Sequence, residues 1–149
     1  MNRLLFALLC GVASSAALAQ VDVREAWIRA TVPSAKSSGL FMQIKSSQDA
    51  QLVEVRAGVA GVVEIHHMTM DGQMMRMQAV PSLDLPAGKT VDLSSGGYHV
   101  MLMSLKRQLK QGETIPVTLV VRRKDKRTDT VSLDVTVKPL TYTPAQAGH

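Results

Sequence analysis

The chain has 149 residues, of which 46% are hydrophobic and only 3% aromatic, and its formal charge is +5. Its one cysteine, Cys10, falls in the N-terminal apolar stretch. The remainder therefore lacks a thiol for disulfides, thiolate zinc sites, iron–sulfur clusters, a cysteine nucleophile or a blue-copper centre.

Residues 1–19 carry a single charge, Arg3, followed by an apolar run over 4–12 and small residues ending in Ala17-Leu18-Ala19. This is the layout of a cleaved secretory signal. The run is too short to span a bilayer, and no later segment approaches the roughly 20 apolar residues that a membrane helix needs. Leu9 precedes Cys10 where a lipoprotein signal wants a small residue, so no lipid attachment is expected. The sequence thus predicts an exported protein that does not span the membrane. Without Arg3, 16 Lys and Arg stand against 12 Asp and Glu, a modest basic excess. Residues 20–140 suit one domain, and 141–149 form a short tail of small and turn-forming residues.

Short alternating apolar stretches recur over 21–28, 40–44, 52–55, 62–70, 74–80, 90–93, 98–105, 115–121 and 131–137. Turn residues separate them, among them Pro33, Gly58, Asp71-Gly72, Pro81, Pro86-Ala87-Gly88 and Gly112, and no long segment has a helical period. The pattern predicts an all-β, antiparallel β-sandwich. Trp27 and Arg29 fall in the first strand, with the indole covering one end of the core. The basic stretch over 122–127 contains no aromatic residue and lies between two alternating runs, so it reads as a solvated hairpin loop and no nucleic-acid partner is expected.

Seven of the nine methionines and three of the four histidines lie between His66 and Met103. Methionine commonly fills irregular core space, but here position along the strands points elsewhere. Asp71-Gly72 is a strong two-residue hairpin signal. With those two residues as the loop, His66 faces Met77 and Met68 faces Met75, close enough for an imidazole and a thioether to converge on one ion. In the extended segment 98–103, His99, Met101 and Met103 share one face, while Tyr98, Val100 and Leu102 share the core face. His66, Met77, His99 and Met101 then make a neutral, soft donor set without carboxylate or thiolate, which favours one copper(I) per chain over zinc, calcium or magnesium. His67 falls on the opposite face with Ile65 and Val63, facing Arg76. Met68, Met70, Met75 and Met103 are expected to form a soft collar that keeps water from the metal.

The spacing of His66, ten residues, Met77, twenty-one residues, then His99-Val100-Met101 resembles the signature of the periplasmic PCuAC-type copper chaperones. So do the phrases Val63-Glu64-Ile65-His66, Met75-Arg76-Met77, Leu85-Pro86-Ala87-Gly88 and Gly96-Gly97-Tyr98-His99, and the likeness covers most of 22–138. The resemblance implies a cupredoxin-like Greek-key β-sandwich that holds copper(I) on the same four residues. It also implies delivery to a copper-accepting protein, such as a cytochrome oxidase subunit or assembly factor, for cytochrome c oxidase assembly. Two features depart from the family's usual look: His67 duplicates the first ligand type, and Lys45-Ser46-Ser47 stands where many members have an Asn-containing turn. The histidine- and methionine-rich tail of some members is reduced here to His149, so no second copper site is expected there.

Copper scavenging without an oxidase client is the alternative function, and a structural or adhesive β-sandwich whose methionines merely pack is a further one. Catalysis is not expected. A histidine-brace oxygenase needs an N-terminal histidine where cleavage leaves Gln20 or Val21, no Ser/His/Asp set or carboxylate pair stands out, and four ligands leave no open coordination position. The protein is expected to act as a monomer.

Overall fold

The computed structural model describes residues 21–94 and 97–144. The leader expected over 1–19 and the end of the tail, 145–149, lie outside the described residues. Ten strands follow in order: β1 (Val21–Arg29), β2 (Ser37–Ser46), β3 (Ala50–Ala57), β4 (Ala60–Asp71), β5 (Met74–Val80), β6 (Leu83–Leu85), β7 (Thr90–Leu93), β8 (Tyr98–Leu105), β9 (Thr114–Arg123) and β10 (Thr128–Lys138). Nine coincide with the alternating stretches of the sequence. The tenth, β6, has only three residues between Pro81 and Pro86, too few to display a period.

Hydrogen bonding runs in the order β5-β4-β8-β2-β1-β10-β9-β3-β6, with β7 also on β2. This sheet folds back around one core, to which nearly every strand contributes: Ile28, Leu40, Ile44, Leu52, Leu85, Leu93, Val100, Leu102, Leu119 and Val137 are all buried. The result is the cupredoxin-like β-sandwich. One pair departs from the antiparallel expectation, because β1 runs parallel to β10 through Trp27, Ile28 and Arg29. A bulge between Arg24 and Trp27, with Glu25 at φ 51°, interrupts the pairing of β1 with β2, and the segment beyond it, Trp27 to Arg29, pairs with β10 as well. Of the segment 122–127, Arg122 and Arg123 end β9 and residues 124–127 form the turn of the β9–β10 hairpin, with Arg123 paired to Asp129 and Lys124 to Asp49.

Alternation along β4 and β8 decides which side chains leave the core. Ile65, Val100 and Leu102 point inward and are buried, so Glu64, His66, Met68, His99, Met101 and Met103 occupy the outer face. Beyond Met68 the β4–β5 hairpin extends past the core as an exposed arm, with Met70, Met74, Met75 and Met77 all more than half exposed.

Candidate metal centre

The hairpin register differs from the sequence expectation. The loop is Gly72-Gln73 rather than Asp71-Gly72: Asp71 pairs with Met74, Met70 with Met75, Met68 with Met77 and His66 with Ala79. The cause lies in glycine chemistry. Gly72 has φ 63° and Gln73 lacks a positive φ, which places glycine first in a type II′-like turn, whereas the expected I′ turn would put it second. The slip moves each partner by two residues, so every side chain keeps its face. Met77 remains on the face of His66, now diagonal to it.

The partner that directly opposes His66 comes from the other side of β4. His66 pairs with His99 on β8, with ring centroids 5.8 Å apart and planes at 65°. Metal–imidazole bonds are about 2 Å in zinc sites, so one ion bonded to a nitrogen of each ring fits between them. Glu64 opposes Met101 one step along the ladder, and Met68 opposes Met77 one step the other way. The structure thus gathers His66, Met77, His99 and Met101 on three successive rungs of one face. His67 lies on the reverse face, stacked on Tyr98 at 4.2 Å and opposite Gln78 rather than Arg76.

Glu64 is a residue that sequence reasoning missed. The His66 Nε2–H donates to Glu64 Oε2 at 2.7 Å, while His66 Nδ1 is buried without a hydrogen-bond partner. A buried polar atom left unpaired is costly, and an imidazole nitrogen with a free lone pair is a metal ligand in waiting. A carboxylate holding the other nitrogen is the usual outer support of a metal-bound histidine. The signal was present in the sequence, since Glu64 stands two residues before His66 and alternation puts both on one face. His99 is 7% exposed. Burial, then the neighbouring His66, pushes its pKa below the ordinary histidine value and favours the neutral, metal-binding form.

Among the described residues no three His, Cys, Asp or Glu side chains cluster as a metal site; the further soft donors on this face are thioethers. A cleft of about 500 Å³ opens beside the centre, lined by Met68, Met77, His99, Met101, Arg29 and Phe41 among others. Trp27 is buried, but on the face opposite Ile28 and outside the core cluster rather than covering an end of the core, stacked on Phe41 at 4.5 Å and edge-on to Tyr142 at 4.9 Å, with the Arg29 guanidinium over both Trp27 and Phe41. The expected methionine collar divides. Met68 adjoins the histidine pair, but Met70 and Met75 stand two rungs from it, about 13 Å along the strand, and cannot shield the ion.

The fold is that of PCuAC domains: it matches the apo PCuAC domain of PmoF1 with a TM-score of 0.64 at 22% identity, covering 80% of this chain and 93% of that one. The solution structure of CuI-DR1885 from Deinococcus radiodurans is similar at 38% identity and a TM-score of 0.58, with 83% of each chain covered. A protein of Leifsonia xyli subsp. xyli named as a lipoprotein, Lxx21020, is 33% identical over 118 residues, which span 77% of this chain and 69% of that protein. The LpqE-like family model matches residues 21–137, and the chain belongs to that family.

Proposed function

We propose that the protein is a periplasmic copper(I) chaperone that holds one ion between His66, Met77, His99 and Met101 and delivers it for cytochrome c oxidase assembly. The observation that carries this reading is the direct His66–His99 pair, with an unpartnered buried nitrogen on His66 and thioethers on the rungs either side. Two imidazoles and two thioethers form a soft, neutral set suited to copper(I). The Glu64 carboxylate balances the ion's charge while fixing the His66 ring. Relatives support the reading, since CuI-DR1885 is a copper(I) form and a copper-bound PCuAC domain of PmoF2 shares the fold.

The same geometry suits transfer rather than catalysis. Four ligands close the shell, and Met77, 51% exposed, lies on the edge strand. An acceptor's own soft ligand can replace this thioether first and draw the ion out stepwise. The lipoprotein names of the family and of the Leifsonia relative are in keeping with a periplasmic site of action, reached in this reading through cleavage after Ala19.

The test is copper(I) stoichiometry of the purified mature protein under reducing conditions, by competition with a chromophoric chelator. One tight equivalent, weakened in each of His66→Ala, Met77→Ala, His99→Ala and Met101→Ala, is expected. Undiminished binding in all four variants would sink the assignment. Mixing the loaded protein with a purified oxidase copper-site domain then tests the client.

A further inference from the structure

We infer that the projecting β4–β5 arm carries a second soft-metal station, an all-thioether site made by Met68, Met70 and Met75 with Met77 shared between it and the histidine centre. The inference deepens the reading above and rests on it only through Met77.

The register of the arm makes the site. Met68 directly opposes Met77 and Met70 directly opposes Met75. Alternation puts all four on the face of His66. Directly opposed Cβ atoms are about 4.5–5.5 Å apart and successive rungs about 6.6 Å, so the four flexible side chains start from the corners of a small rectangle and their sulfurs can converge on one ion. Had the loop been Asp71-Gly72, Met70 would have faced Gln73 and the square would not exist.

Core filling, the ordinary use of methionine, does not account for these residues. Met70 is 64% exposed, Met75 59% and Met77 51%. Edge strands usually carry charge on exposed positions to stay solvated and unpaired. On this arm the charge sits on the reverse face, where Arg76 pairs with Thr69 across the strands and its guanidinium reaches Asp71 at 3.3 Å. The thioether face is left free of cations that would repel a metal ion. Thioethers take copper(I) in preference to hard or borderline metals, and they bind without releasing a proton. The square continues directly from the histidine rung to the tip, so an ion caught at the exposed end passes by exchange of one thioether at a time to Met77 and then to the imidazoles. The arm is thereby an entry and exit track for the same cargo.

The experiment uses the full mature chain with methionine methyl groups labelled with carbon-13, titrated with silver(I), a redox-inert stand-in for copper(I). The first equivalent is expected to shift the Met77 and Met101 methyl signals and the His66 and His99 ring signals. The second is expected to shift Met68, Met70 and Met75. The double variant Met70→Leu/Met75→Leu, which alters only exposed side chains, should keep the first equivalent, lose the second, and load from a chelator more slowly. A second equivalent that leaves Met70 and Met75 unmoved, or a double variant that loads at the wild-type rate with unchanged stoichiometry, overturns the inference. If the first equivalent shifts Met70 and Met75 and spares the histidine rings, the thioether station stands and the histidine centre falls.

Discussion

His66 and His99 are direct cross-strand partners on β4 and β8, with ring centroids 5.8 Å apart. Neither can be replaced by a neighbour, because Ala79 is the other partner of His66 and His67 points to the reverse face. Replacing either histidine by alanine should therefore weaken copper(I) binding by more than the roughly 10–100-fold that loss of a supporting group costs. His67→Ala should leave affinity within about twofold, well under the 1.4 kcal/mol that a tenfold change represents. Chelator competition reads both, and a His67→Ala loss as large as that of His66→Ala would reverse the assignment of faces.

Glu64 tests whether His66 is held for a purpose. Its carboxylate accepts from Nε2 and leaves Nδ1 unpartnered. Glu64→Ala should lower copper(I) affinity by about 10–100-fold, while Glu64→Gln, whose amide oxygen still accepts, should lose less. Nitrogen-15 spectra of the loaded protein should show Nδ1 of His66 as the metal-bound nitrogen. Ligation through Nε2 would mean that the Glu64 contact breaks on loading.

Acid should act on the metal-free fold through His99. Burial and the adjacent His66 set its folded pKa below the ordinary value of about 6.5. Over the interval between the two values the unfolded chain binds the proton and the folded chain does not. Stability contributed by this residue is thus complete above about pH 6.5 and declines as pH falls through the depressed folded pKa. Urea melts from pH 7.5 to pH 5 should show this decline in wild type and a flatter profile in His99→Gln. Equal slopes would show that His99 does not set the acid sensitivity.

The faces of the strands were legible in the sequence and the register was not. Alternation alone puts His66, His99 and Met101 outward and Val100 and Leu102 inward, and it survives any two-residue slip. Gly72, by contrast, suits the second position of a I′ turn and the first position of a II′ turn equally well, so nothing local chose between Asp71-Gly72 and Gly72-Gln73. The His66–His99 pairing was hidden for another reason. It joins strands thirty-three positions apart, and only the return of β8 to the free edge of β4 sets it. The parallel β1–β10 pair and the three-residue β6 escaped because strand direction and very short strands leave no periodic trace.

Gly39 links the Trp27–Phe41 stack to the face that carries His99 and Met101. It pairs with Met101 across β2 and β8, and a Cβ built there would lie 2.5 Å from the Phe41 ring and 2.8 Å from a second of its atoms. Phe41 cannot simply swing aside, because its ring is stacked on buried Trp27 at 4.5 Å beneath the Arg29 guanidinium. The backbone at Gly39 has no positive φ that would itself demand glycine, so the cost of Gly39→Ala is one of overpacking, about 1–3 kcal/mol. A urea melt followed by Trp27 fluorescence should show that loss together with a changed native emission, since Trp27 supplies all the indole signal. Copper(I) affinity should fall as well, because a displaced Phe41 crowds the cleft that it shares with Met101 and His99. Full stability with reduced affinity would place the conflict at Met101 rather than at the aromatic stack; wild-type values of both would mean that the ring has another resting place.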